Sequence, residues 1–112
     1  MSGTPEHAKE LDELLQALWV KNYPMLVERL KLIRAATDKL NAGVLNNQTR
    51  KDGEEAAHKL AGILGTFGLP QGSVLASKIE ALLASDASTY TQGAPELNTW
   101  VQELERVIAS RS

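Results

Sequence analysis

Apolar positions recur at three- and four-residue spacings along nearly the whole chain, the period of helices with one buried face. Leu11, Leu14, Leu15, Leu18 and Trp19 form a first narrow stripe, with Glu10, Asp12, Glu13 and Gln16 opposite. Ahead of it, Thr4-Pro5-Glu6 reads as a helix start: a capping hydroxyl, a proline where its missing N–H costs nothing, and an early acid. Asn22-Tyr23-Pro24 predicts a break or kink, because residues before proline avoid helical angles. A second, longer helix then carries Leu26, Val27, Leu30, Ile33, Leu40 and Ala36 or Thr37 toward the core. Its Glu28, Arg29, Lys31, Arg34 and Lys39 are left to solvent, and it stops near Asn41 to Gly43, where glycine can take a left-handed cap conformation.

Val44 to Gln48 is a short polar link, with Thr49 expected to cap a third helix over about residues 50–67. The first turns of that helix are wet and its second half is apolar, with Gly68 ending it and Pro70 preventing continuation. A fourth helix restarts at Gln71 or Gly72 and buries Val74, Leu75, Ile79, Leu82 and Leu83. Ser85 to Gly93 is the longest non-helical stretch, a surface loop at least in part, after which Pro95 opens a last helix carrying Leu97, Trp100, Val101, Leu104, Val107 and Ile108. Five helical segments, short links and no strand alternation predict an all-α fold: an antiparallel four-helix bundle with an additional N-terminal helix packed as a lid or cap, in one domain spanning residues 1–112.

Composition narrows the chemistry. There is no cysteine, which removes disulfides, thiolate catalysis and cysteine zinc sites. A net charge of −2, with Lys and Arg dispersed, argues against a nucleic-acid surface. No apolar run approaches the roughly 20 residues of a membrane span, and Met1 to Glu6 is not a signal peptide, so a cytoplasmic domain is expected, free or within a larger membrane-bound sensor. No nucleophile elbow and no phosphate-cradling glycine loop is present, so neither hydrolysis nor ATP binding has a visible site. Two histidines far apart, with only Glu54 one turn from His58, make no convincing metal ligand set.

One stretch stands apart, Ala57-His58-Lys59-Leu60-Ala61-Gly62-Ile63-Leu64-Gly65-Thr66-Phe67-Gly68-Leu69. At about 100° per residue, Ala61, Gly62 and Gly65 share the face of His58, while Leu60, Ile63, Leu64 and Phe67 lie mostly on the other side. A lone helical histidine is more often structural or simply exposed. Here, however, small residues three, four and seven positions on give the imidazole room to project and let another molecule come close. Glycine costs about 1 kcal/mol against alanine within a helix, so two on one face ask for such a reason. His7, in a frayed first turn, has no such setting.

His58-Lys59-Leu60-Ala61-Gly62, with Gly68 ten residues past the histidine, resembles the histidine-containing phosphotransfer (HPt) domains of two-component phosphorelays. The likeness is strongest over about residues 56–83. It implies a four-helix bundle with an added N-terminal helix and one exposed, phosphorylatable histidine, a phosphoryl carrier without an ATP site rather than an enzyme. His58 would take the group through Nε2 from the aspartyl phosphate of a receiver domain and pass it to a second receiver. Glu80, twenty-two residues on, matches a position where family members place a group that hydrogen-bonds the histidine ring, and would orient His58. Ala61, Gly62 and Gly65 would be the floor on which the receiver docks, with Lys51 and Glu54 on the preceding turns of the same surface.

The resemblance further implies response-regulator receivers as partners, a hybrid histidine kinase among them, and a monomeric domain holding no cofactor, with Mg²⁺ on the receiver. Where the family usually has lysine three positions after the histidine, Ala61 stands here, leaving Lys59 or Lys51 as cations for the phosphoryl group. That departure keeps open a second reading, a receiver-binding adaptor or scaffold bundle that carries no phosphate.

Overall fold

The computed structural model describes the backbone of residues 4–111 and the side chains of residues 7–111. The described residues form five helices: α1 (Thr4–Asn41), α2 (Asn47–Thr66), α3 (Pro70–Leu83), α4 (Ala87–Gln92) and α5 (Ala94–Arg111). No strand occurs among them. α2 packs on α1 and α3, α3 on α5, and α5 back on α1, closing a four-helix bundle to which α4 adds one short turn. The core is one apolar cluster, with Trp19, Leu26, Ile33, Leu60, Leu64, Ile79, Leu83, Leu97, Leu104 and Ile108 essentially inaccessible to water. This is the all-α bundle the periodicity predicts.

The largest departure from the expected boundaries lies at Pro24, which sits inside one continuous helix instead of breaking it. Proline removes one backbone bond and costs about 3 kcal/mol in a helix interior. Trp19 and Leu26, on either side of it, are both buried in the same core, and that packing favours a straight path through the proline. Asn22 also donates its side-chain N–H to the Leu18 carbonyl at 2.7 Å, serving a backbone acceptor in the adjacent turn. The segment expected as a separate lid is therefore the first half of α1. The 57 Å long axis of the molecule is the length of this helix, 38 residues at about 1.5 Å each. Toward its start Leu11, Leu14 and Leu18 are exposed, and only Trp19 of the predicted stripe is fully buried. Trp19 is held edge-on by Phe67 at 5.2 Å and covered by the Arg111 guanidinium. The expected Thr4 cap lies outside the described side chains.

The link between α1 and α2 turns at Gly43, whose φ of 75° is left-handed. The cap of α2 is Asn46, not Thr49: the Asn46 side chain accepts from the Thr49 backbone N–H at 2.8 Å, and the helix begins three residues before the expected start. Gly68, at φ 71°, ends the α2 turn as predicted, and Leu69 donates its backbone N–H back to the Leu64 carbonyl at 2.9 Å. This tight link fixes the register of α3 against α2. The stretch expected as a loop holds α4, capped by Asp86, whose carboxylate accepts from the Thr89 N–H at 2.9 Å. That hydrogen bond holds the Asp86 pKa below its ordinary value.

Two polar expectations also change. Arg34, read as solvated, reaches across to α5 and donates to both oxygens of Glu105, at 2.6 and 3.2 Å. That hydrogen bond raises the Arg34 pKa further, against the opposing effect of desolvation. Val74, expected in the core, is exposed.

The α1–α2 contact is tight at Gly53. A Cβ there would lie 2.9 Å from the Ala36 Cβ and 3.2 Å from a Leu83 methyl, so only glycine lets the two helices come this near.

Candidate functional site

His58 projects from the middle of α2 with 72% of its side chain exposed. Its neighbours Ala57 and Leu60 are buried, so the phase of the helix is set by the core, and the imidazole is turned outward by the same rotation that turns them in. The Asn46 cap and the Gly68 turn hold the two ends of this helix. The histidine thus stands on a rigid element.

Across the α2–α3 seam, Glu80 Oε2 lies 2.9 Å from His58 Nδ1. Glu80 is anchored by its own helix, since Ile79 and Leu83 on either side are fully buried. A carboxylate only accepts, so the ring proton lies on Nδ1 and the Nε2 lone pair is left for chemistry. The arrangement can orient the ring, fix its tautomer and balance positive charge that develops on it.

The floor beyond the histidine is open. A Cβ on Gly62 would meet nothing within 4 Å, and one on Gly65 would make only an ordinary contact of 3.8 Å with Ser73 Oγ. Both glycines are exposed, so unlike Gly53 they are not required by packing inside the molecule. Ala61 is half-buried at the seam, where its carbonyl accepts from the Ser73 hydroxyl at 2.7 Å. Ser73 was not singled out from the sequence. Its place on the floor follows from the α2–α3 turn, and a serine amid apolar positions was the only available signal.

On the other side of His58, Lys51, Glu54, Glu55 and Glu80 join it in lining a shallow cleft of about 360 Å³. Lys51 and Glu54 therefore fall where the helical face predicts. Glu54 is half-buried and pairs with Arg50 at 3.5 Å, while Arg50 also donates to the Leu83 carbonyl at 2.8 Å. Lys59 is paired with Glu55 at 3.7 Å and is not among the residues lining the cleft. Glu55 and Arg50 were not anticipated as parts of the surroundings.

An exposed histidine on a bundle helix is thus backed by a carboxylate and flanked by a bare small-residue floor, in an open cleft. The chain matches the family described as Hpt domain over residues 4–110, and it belongs to that family. Hpt domains relay phosphoryl groups in two-component phosphorelays and are phosphocarriers rather than catalytic enzymes. They interact with receiver domains. Among curated proteins, the chain is similar to Protein RcaC of Microchaete diplosiphon, 27% identical over 113 residues. That match covers 96% of this chain and 17% of the relative, so the chain spans about a sixth of that protein's length. No solved structure matches. Among the described residues no helix is long and apolar enough to cross a membrane.

Proposed function

We propose that this domain carries a phosphoryl group on His58 Nε2 between receiver-domain aspartates. The observation that carries the reading is the 2.9 Å contact of Nδ1 with Glu80 on a ring that is otherwise exposed. Nε2 attacks the phosphorus of an aspartyl phosphate; the P–N bond forms as the P–O bond to the aspartate breaks, and the carboxylate leaves. The ring keeps its Nδ1 proton and becomes a cationic phosphoimidazolium, whose charge is met by Glu80. Transfer onward reverses these steps at a second receiver. The acidic pocket and Mg²⁺ belong to the receiver, and this domain supplies position: Ala61, Gly62 and Gly65 let the receiver's rim approach the histidine.

The test is incubation with radiolabelled phospho-receivers of the same organism and Mg²⁺. The domain is expected to gain an acid-labile, base-stable label that is absent in His58→Gln. Glu80→Ala should slow transfer by roughly tenfold or more with the helix content unchanged, as loss of an orienting partner does elsewhere. Receiver binding without any label would support the adaptor reading, and label persisting in His58→Gln would move the acceptor to another residue.

A further inference from the structure

Phosphorylation brings about two negative charges to His58, and three glutamates already line the cleft beside it. The nearby cations are not equally free to answer that charge. Arg50 is committed to Glu54, to the Leu83 carbonyl and, at 3.2 Å, to Asn47. Lys59 is paired with Glu55. Lys51 makes no hydrogen bond or ion pair with any of the described residues, and its side chain lines the same cleft as His58. It stands seven residues before the histidine, two turns along the helix and about 20° round it, so the two share one face. Both side chains lean toward the helix N-terminus, so the shared cleft and the long, flexible lysine stem, rather than the lean, are what bring the ammonium within reach of the imidazole.

The charges close consistently around this lysine. Arg50 offsets Glu54 and Lys59 offsets Glu55, leaving Glu80 and Lys51 as the remaining pair of opposite sign in the cleft. When Glu80 is engaged by the imidazolium, Lys51 is the cation left for the phosphoryl oxygens.

We propose that Lys51 is the phosphoryl-facing cation of this domain, the group that holds the transferred phosphate on the His58 side of the exchange. Lys59, although adjacent in sequence, does not share this role. The inference rests on His58 being the phosphoacceptor. A lysine on its flexible stem acts here as a mobile point charge, so arginine should replace it in part and neutral residues should not.

The experiment compares the wild-type domain with Lys51→Met, Lys51→Arg, Lys59→Met and His58→Gln, each incubated with the same radiolabelled phospho-receiver and Mg²⁺. Lys51→Met is expected to lower the equilibrium fraction of label on the domain by roughly three- to tenfold, as one unit charge facing a dianion at an exposed site would. The deficit should shrink at high salt. Lys51→Arg should recover most of it, and Lys59→Met should stay within twofold of wild type. Binding of the unphosphorylated wild type and Lys51→Met to unphosphorylated receiver is compared by calorimetry, and any loss of affinity is expected to be much smaller than the loss of label. Wild-type labelling with an unaltered Lys51→Met equilibrium would overturn the proposal while leaving the carrier reading intact. A drop explained by weaker binding of the unphosphorylated partners would make Lys51 a docking residue and also overturn it. Absence of label on the wild type from every receiver would instead remove the carrier reading itself.

Discussion

Gly53→Ala tests how closely α1 and α2 are packed. An alanine in a helix interior gains about 0.8–1.0 kcal/mol over glycine, so on an exposed face this change would stabilise the protein. At position 53 the new methyl lies 2.9 Å from the Ala36 Cβ, 3.2 Å from a Leu83 methyl and 3.4 Å from the Leu32 carbonyl oxygen. The Leu83 methyl can move, but the Ala36 methyl can retreat only with its helix. Overpacking of this kind costs about 1–3 kcal/mol, giving a net loss of about 1 kcal/mol, or roughly 4 °C in Tm.

The partner change sharpens the test. Ala36→Gly alone forfeits helix propensity and a buried methyl, about 2 kcal/mol together. Combining the two moves the methyl from one helix to the other across the same contact, so the double variant should lie within about 1 kcal/mol of wild type. Simple addition would place it about 3 kcal/mol lower, and the difference of about 2 kcal/mol is the coupling. Urea unfolding followed by circular dichroism and tryptophan fluorescence supplies all four free energies. A stabilised Gly53→Ala, or a double variant no better than the sum of the singles, would refute the close approach.

Two further outcomes follow from burial and capping. Leu60→Ala, which removes a fully buried side chain two residues from His58, should cost about 2–5 kcal/mol in the same unfolding assay; a loss below 1 kcal/mol would contradict its position in the core. Because the Thr89 N–H lowers the folded-state pKa of Asp86, the stabilisation of α4 by this cap is fully present above the ordinary aspartate pKa of about 3.8 and lost as pH falls through the lower folded value. The Thr89 amide resonance should therefore titrate in that acidic window, and an Asp86→Ala variant should lack the transition.

The site was more legible in the sequence than the path of the chain. Gly62 and Gly65 draw attention to His58 because two glycines on its face that are not required by internal packing cost helix stability unless another molecule needs the space. Glu80 was legible only through the family resemblance, and the structure sets it 2.9 Å from His58 across the short Gly68–Leu69 turn. Pro24 misled because its local preference is outweighed by Trp19 and Leu26 entering one core, a fact of tertiary packing. The Arg34–Glu105 pair joins residues 71 positions apart, and no spacing rule reaches that far. Gly53 sits in a polar run that reads as a wet first turn, so its role appears only once Ala36 is opposite it. Similarly, the turning of Lys59 toward Glu55 and the commitment of Arg50 to α3 decide which cation is free, and side-chain pairing of that kind is not encoded by period alone.

The exposure of His58 on the outer surface of a helix has a consequence for traffic through the domain. If His58 is the acceptor proposed above, one imidazole on one face serves both partners, so a donor and an acceptor must take turns at it, and each arrival requires the previous visitor to leave. Strong attachment to either would jam the exchange by occupying the berth the other needs. A bare floor of glycine and alanine, offering close approach but few anchoring side chains, suits brief visits, and throughput is then governed by how quickly partners depart.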